Sequence, residues 1–102
     1  ANQVFLNLLD NAIRSGAKNI WVATGEQNGH VVVRVGDDGP GVPVEIREKI
    51  FDAFYTTRDP GQGTGLGLHL SRAIVMDHGG RLLVGDRPGG GAEFVLEWPA
   101  AP

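Results

Sequence analysis

The sequence predicts an α+β fold, a two-layer α/β sandwich, and three observations lead there. Three stretches carry apolar residues at helical spacing. Four short stretches are rich in β-branched residues. The two kinds alternate as helix, hairpin, helix, loop, helix, hairpin, and helices set apart from antiparallel hairpins pack as one layer on another.

The first helix is expected over 2–15, where Val4, Phe5, Leu8, Leu9, Ala12 and Ile13 recur at helical spacing and Gly16 suits a stop. Strands follow at 19–24 (NIWVAT) and 30–35 (HVVVRV), flanking Asn28-Gly29, a strong signal for a tight hairpin turn. Pro43 suits the first turn of a second helix running to about Phe54, with Phe51 and Phe54 three apart. Residues 55–65 are turn-rich. A third helix is expected from Leu66 to about Asp77, with Leu66, Leu70, Ala73 and Ile74 on one side and Gly79-Gly80 behind it. Strands at 81–86 and 92–98, joined by a Pro/Gly loop, complete the pattern.

With 102 residues the chain is one domain, and neither a repeat nor an internal linker is visible. Residue 1 already sits at the first helix, which reads as a domain cut. A net charge of −3 argues against a nucleic-acid or acidic-membrane surface. The lack of cysteine excludes a disulfide scaffold, a thiolate metal site and a cysteine nucleophile. No apolar run is long enough to span a bilayer and no signal peptide is visible, so the expected setting is cytoplasmic. Glycine is the abnormal count, at 16, clustered around 36–41, 61–67 and 79–91.

Four constellations carry candidate chemistry. On the first helix Asn7 and Asn11 stack one turn apart, with Gln3 above and Arg14 below. Asparagine is a poor mid-helix residue, so two in register suggest amide oxygens assigned to a hard cation, with Arg14 supplying charge for a phosphate; a solvated helix face is the plainer reading. In GDDGPGVP (36–43), Asp37 falls at a strand end, where a carboxylate can accept from an exocyclic amine. Gly39 and Gly41 there would let backbone approach a flat ligand, although turn chemistry alone also explains the stretch. Asp37 and Asp38 lack companion carboxylates for a metal site. In IFDAFYTTR (50–58), Arg58 could reach phosphate oxygens or simply be solvated. In GQGTGLGL (61–68), glycines alternate at 63, 65 and 67 directly ahead of a helix, a setting for phosphate on backbone amides. No Lys-Ser/Thr pair follows and no parallel strand leads in, which excludes the two best-known phosphate loops.

Taken in order, NLLDNA (7–12), DDGPGV (37–42), FDAFYTTR (51–58), GTGLGLHLSRAIV (63–75) and the closing 78–99 resemble the ATP-binding catalytic domain of sensor histidine kinases, within the gyrase, Hsp90, histidine-kinase and MutL superfamily. The resemblance spans nearly the whole chain. It implies three helices packed on one face of a mixed, largely antiparallel sheet, with ATP held under a lid at about 42–64. By similarity Asn11 would coordinate Mg²⁺ bridging the phosphates, with Asn7 beside it and Arg14 on a phosphate. Asp37 would accept from the adenine amino group, with Gly39 and Gly41 lining the base. Arg58 would be a lid contact. Gly63, Thr64, Gly65, Leu66 and Gly67 would wrap the phosphates, and Leu66 and Leu68 would anchor the helix end.

The hydrolysing relatives carry a glutamate where this chain has Asn7, which cannot act as a general base. The resemblance therefore implies slow hydrolysis and transfer of the γ-phosphoryl group to a histidine on a separate helical dimerisation domain, with a response regulator further downstream. His30, His69 and His78 lack the acceptor's setting, and His69 stands where a small residue is common. Members of the family begin with further residues, including a strand, ahead of the asparagine helix. Many are anchored in the inner membrane by segments outside this domain. Two alternatives share these motifs: a serine/threonine kinase of the anti-sigma-factor type, and a nucleotide-gated interaction module without transfer.

Overall fold

A computed structural model describes residues 2–55 and 66–100. The elements are α1 (Asn2–Arg14), β1 (Ile20–Gln27), β2 (His30–Asp37), two single 3₁₀ turns (Val44–Ile46 and Lys49–Phe51), α2 (Gly67–Asp77), β3 (Arg81–Asp86) and β4 (Ala92–Pro99). The sheet order is β1-β2-β4-β3 and all three pairings are antiparallel. Among the described residues the sheet is therefore wholly antiparallel rather than mixed.

The β1–β2 turn forms as the Asn-Gly pair dictates. Asn28 and Gly29 take φ of 52° and 78°, the two positive values of a turn whose twist matches its strands, and Gln27 faces His30 across it. The registers divide the sheet into two unlike faces. Rows Val22–Val35–Phe94–Val84 and Thr24–Val33–Leu96–Leu82 point to the helices. The opposite face carries Trp21, Arg34, Glu93, Arg81 and Glu97, and pairs Arg34 with Glu93 at 3.1 Å and Arg81 with Glu97 at 3.0 Å. A sheet with one apolar and one charged face takes helices on one side only.

On α1 the buried stripe is Val4, Leu8 and Ala12, with Phe5 and Leu9 half-buried, while Ile13 is exposed. Asn7 reaches Gly67 and Ser71 of α2, whereas Val4 shares an apolar cavity with Ile74, Val75 and His78, so the two helices run antiparallel. The inner side of α2 is Ser71 and Val75, flanked by Leu68 and Ile74. The expected side of Leu70 and Ala73 is exposed instead, because the stripe is rotated toward α1.

Two helices are described where three were expected. Over 43–54 the chain makes the two 3₁₀ turns, and Asp52 is already extended, with ψ 144°. Only Ile50 and Phe51 of this stretch are buried, while Val44 and Phe54 are exposed, so no continuous apolar stripe sustains a helix that would be marginal alone. Arg47 further ties the segment to its surroundings, donating to the Val42 carbonyl at 3.0 Å and to Asp86 at 2.8 Å. Phe51 enters the core edge-on to Phe94, with ring centroids 6.4 Å apart. The other expected elements lie within a few residues of the observed bounds, and β3 matches at both ends.

Candidate functional site

The sequence motifs meet around α1. Asn7 Nδ2 donates to Ser71 Oγ at 3.1 Å and to the Gly67 carbonyl at 3.4 Å, while its own amide oxygen accepts from Gln3 at 3.0 Å. The asparagine helix thus touches the residue at which the glycine loop enters α2, 60 positions later. Asn11 lies one turn further along α1. Arg14 pairs through Nε with Asp10 at 2.8 Å and is about half exposed.

The DDGPG stretch adjoins the other end of the same helix. A Cβ at Gly39 would lie 2.8 Å from Ser15 Oγ and 3.0 Å from Asp37 Oδ1, so only glycine lets this loop sit against α1. Asp37 ends β2 on the helix-facing side, is 3 % exposed, and accepts the Gly39 N–H on Oδ1 at 2.8 Å. Holding one carboxylate oxygen on a backbone amide fixes the direction of the other. Gly41 follows with φ 78° and packs on the backbone of Gly91.

Asp38 has a different task. Oδ1 accepts the N–H groups of Lys18 and Asn19 at 2.8 and 2.9 Å, and Oδ2 accepts the Asn19 side chain at 2.9 Å. Hydrogen bonds from Asn19, first from its backbone and then from its side chain, lower the Asp38 pKa to about 2. Asp38 therefore fastens the α1–β1 connection, and its oxygens are spent on the chain itself. Among the described residues no three His, Asp or Glu side chains form a metal-holding group.

At the start of α2, Leu66 occupies the N-cap position and contributes no side-chain cap. Among the described residues, a Cβ at Gly67 would meet no atom within 4 Å beside the first-turn amides. Leu68 is half-buried and packs against the core. Arg58, Gly63, Thr64 and Gly65 lie outside the described residues, as does the whole C-terminal part of the expected lid, 56–64.

Four contributors escaped the motif reading. Ser71 is fully buried, and its hydroxyl is the partner of Asn7; a lone serine on the inner side of an apolar helix was the available signal. His69 Nδ1 lies 3.1 Å from the Phe51 carbonyl, and because that oxygen only accepts, the nitrogen must carry the proton. Arg72 sits over the Phe51 ring at 4.8 Å and reaches Glu48 at 3.4 Å. These contacts join the two sides of the glycine-rich stretch. Arg87 donates from Nε to the Asp37 carbonyl at 3.1 Å, and nothing in the spacing of the sequence announces that pairing.

Comparison with known proteins gives a consistent result. The family described as histidine kinase-, DNA gyrase B- and HSP90-like ATPase matches residues 1–102. Signal transduction histidine-protein kinase AfsQ2 of Streptomyces coelicolor is 34 % identical over 102 residues, covering 97 % of this chain and 19 % of that protein. Signal transduction histidine-protein kinase AtoS of Escherichia coli is 39 % identical over 103 residues, covering 98 % and 17 %. The chain thus spans about a fifth of these relatives. Among solved structures, full-length ShkA in complex with AMPPNP superposes with a TM-score of 0.85 at 37 % identity, covering 97 % of this chain and 21 % of that one. Mycobacterial sensor histidine kinase MprB superposes with a TM-score of 0.84 at 30 % identity, covering 98 % and 70 %.

Proposed function

The chain belongs to the family of histidine kinase-, DNA gyrase B- and HSP90-like ATPases, and from that premise we propose that it is the ATP-binding, phosphoryl-donating catalytic domain of a two-component sensor histidine kinase. The observation that carries this reading is the convergence of three distant motifs on α1. Asn7 bonds Gly67 at the glycine-loop exit, and Gly39 of the DDGPG loop packs on Ser15. A neighbour solved with AMPPNP, at 37 % identity, supports the ligand class.

In this reading the Asp37 carboxylate accepts the adenine amino group, and Gly39 and Gly41 line the base. The donor set suits a magnesium nucleotide: an Asn11 amide oxygen for a hard cation, Arg14 for a phosphate, and the first-turn amides of α2, where no atom of the described residues crowds Gly67. Gly63, Thr64, Gly65 and Leu66 complete the phosphate wrap, with Arg58 from the lid. Mg²⁺, when bound, would neutralise phosphate charge. Asn7 and Asn11 are the residues assigned to catalysis, Asn11 by holding the metal and Asn7 by fixing the glycine-loop exit against α1.

Asn7 cannot take a proton from water at neutral pH, so the site holds ATP until an acceptor arrives. Positioning and charge neutralisation then carry the transfer of the γ-phosphoryl group to an imidazole nitrogen, with ADP left behind. The acceptor is a histidine on a helical dimerisation domain of the same kinase, and a response regulator receives the phosphoryl group in turn. This domain acts on the cytoplasmic side, and among its described residues no helix is long and apolar enough to cross a membrane.

The test is incubation with Mg-ATP and a cognate helical acceptor domain. Acid-labile, base-stable phosphate on the acceptor is the expected product. Acid-stable phosphoserine would favour the anti-sigma-factor type of kinase, and bound ATP with no transfer would favour the interaction module. Rapid ATP turnover without any acceptor would contradict the role given to Asn7.

A further inference from the structure

We propose that Arg87 and Trp21, on the outer face of the sheet, are positioning residues for the carboxylate of Asp37 on its inner face. The proposal rests on the reading of Asp37 as the adenine acceptor.

Trp21 on β1 pairs across the sheet with Gly36 on β2. The Arg87 side chain crosses the strand at that glycine: a Cβ at position 36 would lie 2.9 Å from Arg87 Cδ and 3.3 Å from Cγ. Beyond the crossing the guanidinium lies over the Trp21 ring, 4.0 Å from its centroid. From this seat Nε donates to two carbonyls, that of Asp37 at 3.1 Å and that of Gly90 at 2.8 Å. The stack, the glycine gap and the paired carbonyls together fix the guanidinium in one place.

What they fix is the peptide after Asp37. Its carboxylate points to the helices and is held on one side by the Gly39 N–H. Its carbonyl is held on the other side by Arg87. A carboxylate that selects one base edge needs its own backbone rigid, because a small rotation of the peptide moves the oxygens out of line. Trp21 is 47 % exposed and lies outside the core cluster, so its packing contributes little to the core itself. Its value lies in the flat surface on which the arginine rests, and any aromatic ring there can serve.

The experiment compares Mg-ATP and Mg-tripolyphosphate, which lacks the base, in the full-length kinase carrying this chain. Trp21→Ala and Arg87→Ala are expected to weaken ATP about three- to tenfold and leave tripolyphosphate unchanged, while Trp21→Phe restores ATP to the parent value. Combining Arg87→Ala with Asp37→Asn should add no further loss. Equal losses for both ligands would mean a general structural role and overturn the proposal. Undiminished ATP affinity in Trp21→Ala and Arg87→Ala, with a loss in Asp37→Asn, would overturn it while leaving Asp37 as the adenine acceptor. An Asp37→Asn variant that binds ATP normally would overturn the adenine assignment and this proposal together.

Discussion

Asn7 Nδ2 on α1 stands 3.1 Å from Ser71 Oγ on α2, a hydrogen bond between residues 64 positions apart. It is a polar bond between the two helices at a point where Ser71 is fully buried. Removing Asn7 takes this partner from a buried hydroxyl, and removing Ser71 leaves Asn7 only its bonds to Gly67 and Gln3. Asn7→Ala and Ser71→Ala should each lower stability by about 1–3 kcal/mol, and the double variant should cost clearly less than the sum. Urea midpoints of the four proteins check this. Additive losses would show that the bond contributes nothing of its own.

Asp37→Asn keeps the shape of the side chain and removes its charge. The Gly39 N–H still finds an oxygen, so the fold should survive with a nearly unchanged urea midpoint. The charge-assisted bond proposed between Asp37 and an adenine amine would be worth about 1.5–3 kcal/mol, so ATP affinity should fall roughly ten- to hundredfold. Calorimetric titration with ATP measures it.

Asp38 makes stability depend on pH. Its folded pKa is lowered from 3.8 to about 2 by the Asn19 and Lys18 hydrogen bonds. A carboxylate with a depressed folded pKa contributes stability that is fully present above the unfolded pKa and is lost as pH falls toward the folded one. That contribution should hold above pH 3.8 and fade down to about 2. Asp38→Asn should lower the melting temperature at neutral pH, and the gap from the parent should close over that window. A gap that persists unchanged at pH 2 would mean that the charge is not the cause.

Gly91 admits no side chain. Its φ is 98°, and a Cβ there would collide with the Asp37 carbonyl. Gly91→Ala should cost about 2–4 kcal/mol through strain and clash together. Because the displaced atom belongs to Asp37, the loss of ATP affinity should exceed that of Gly90→Ala, whose added Cβ meets no atom within 4 Å. Paired melting and titration curves of the two variants make the comparison.

The sheet was legible because its signals are local. Runs rich in β-branched residues set the strands, and Asn28-Gly29 set the first hairpin. The stretch 43–54 was misread for the opposite reason. Pro43 and the spacing of Phe51 and Phe54 are valid local helix signals, but no neighbouring element buries Phe54, and Arg47 is drawn to Val42 and Asp86 instead.

The site divides in the same way. Residue type and order alone determined the asparagine helix, the Asp37 loop and the glycine run ahead of α2, because each is a short motif whose chemistry is written in consecutive residues. Only the tertiary structure decided which side of α2 faces inward, that Ser71 answers Asn7, that Asp38 is spent on Asn19, and that Arg87 crosses Gly36 to hold Asp37. Those pairings depend on how strands and helices stack in space, and a chain that folds back on itself brings together side chains whose separation in sequence carries no periodic signal.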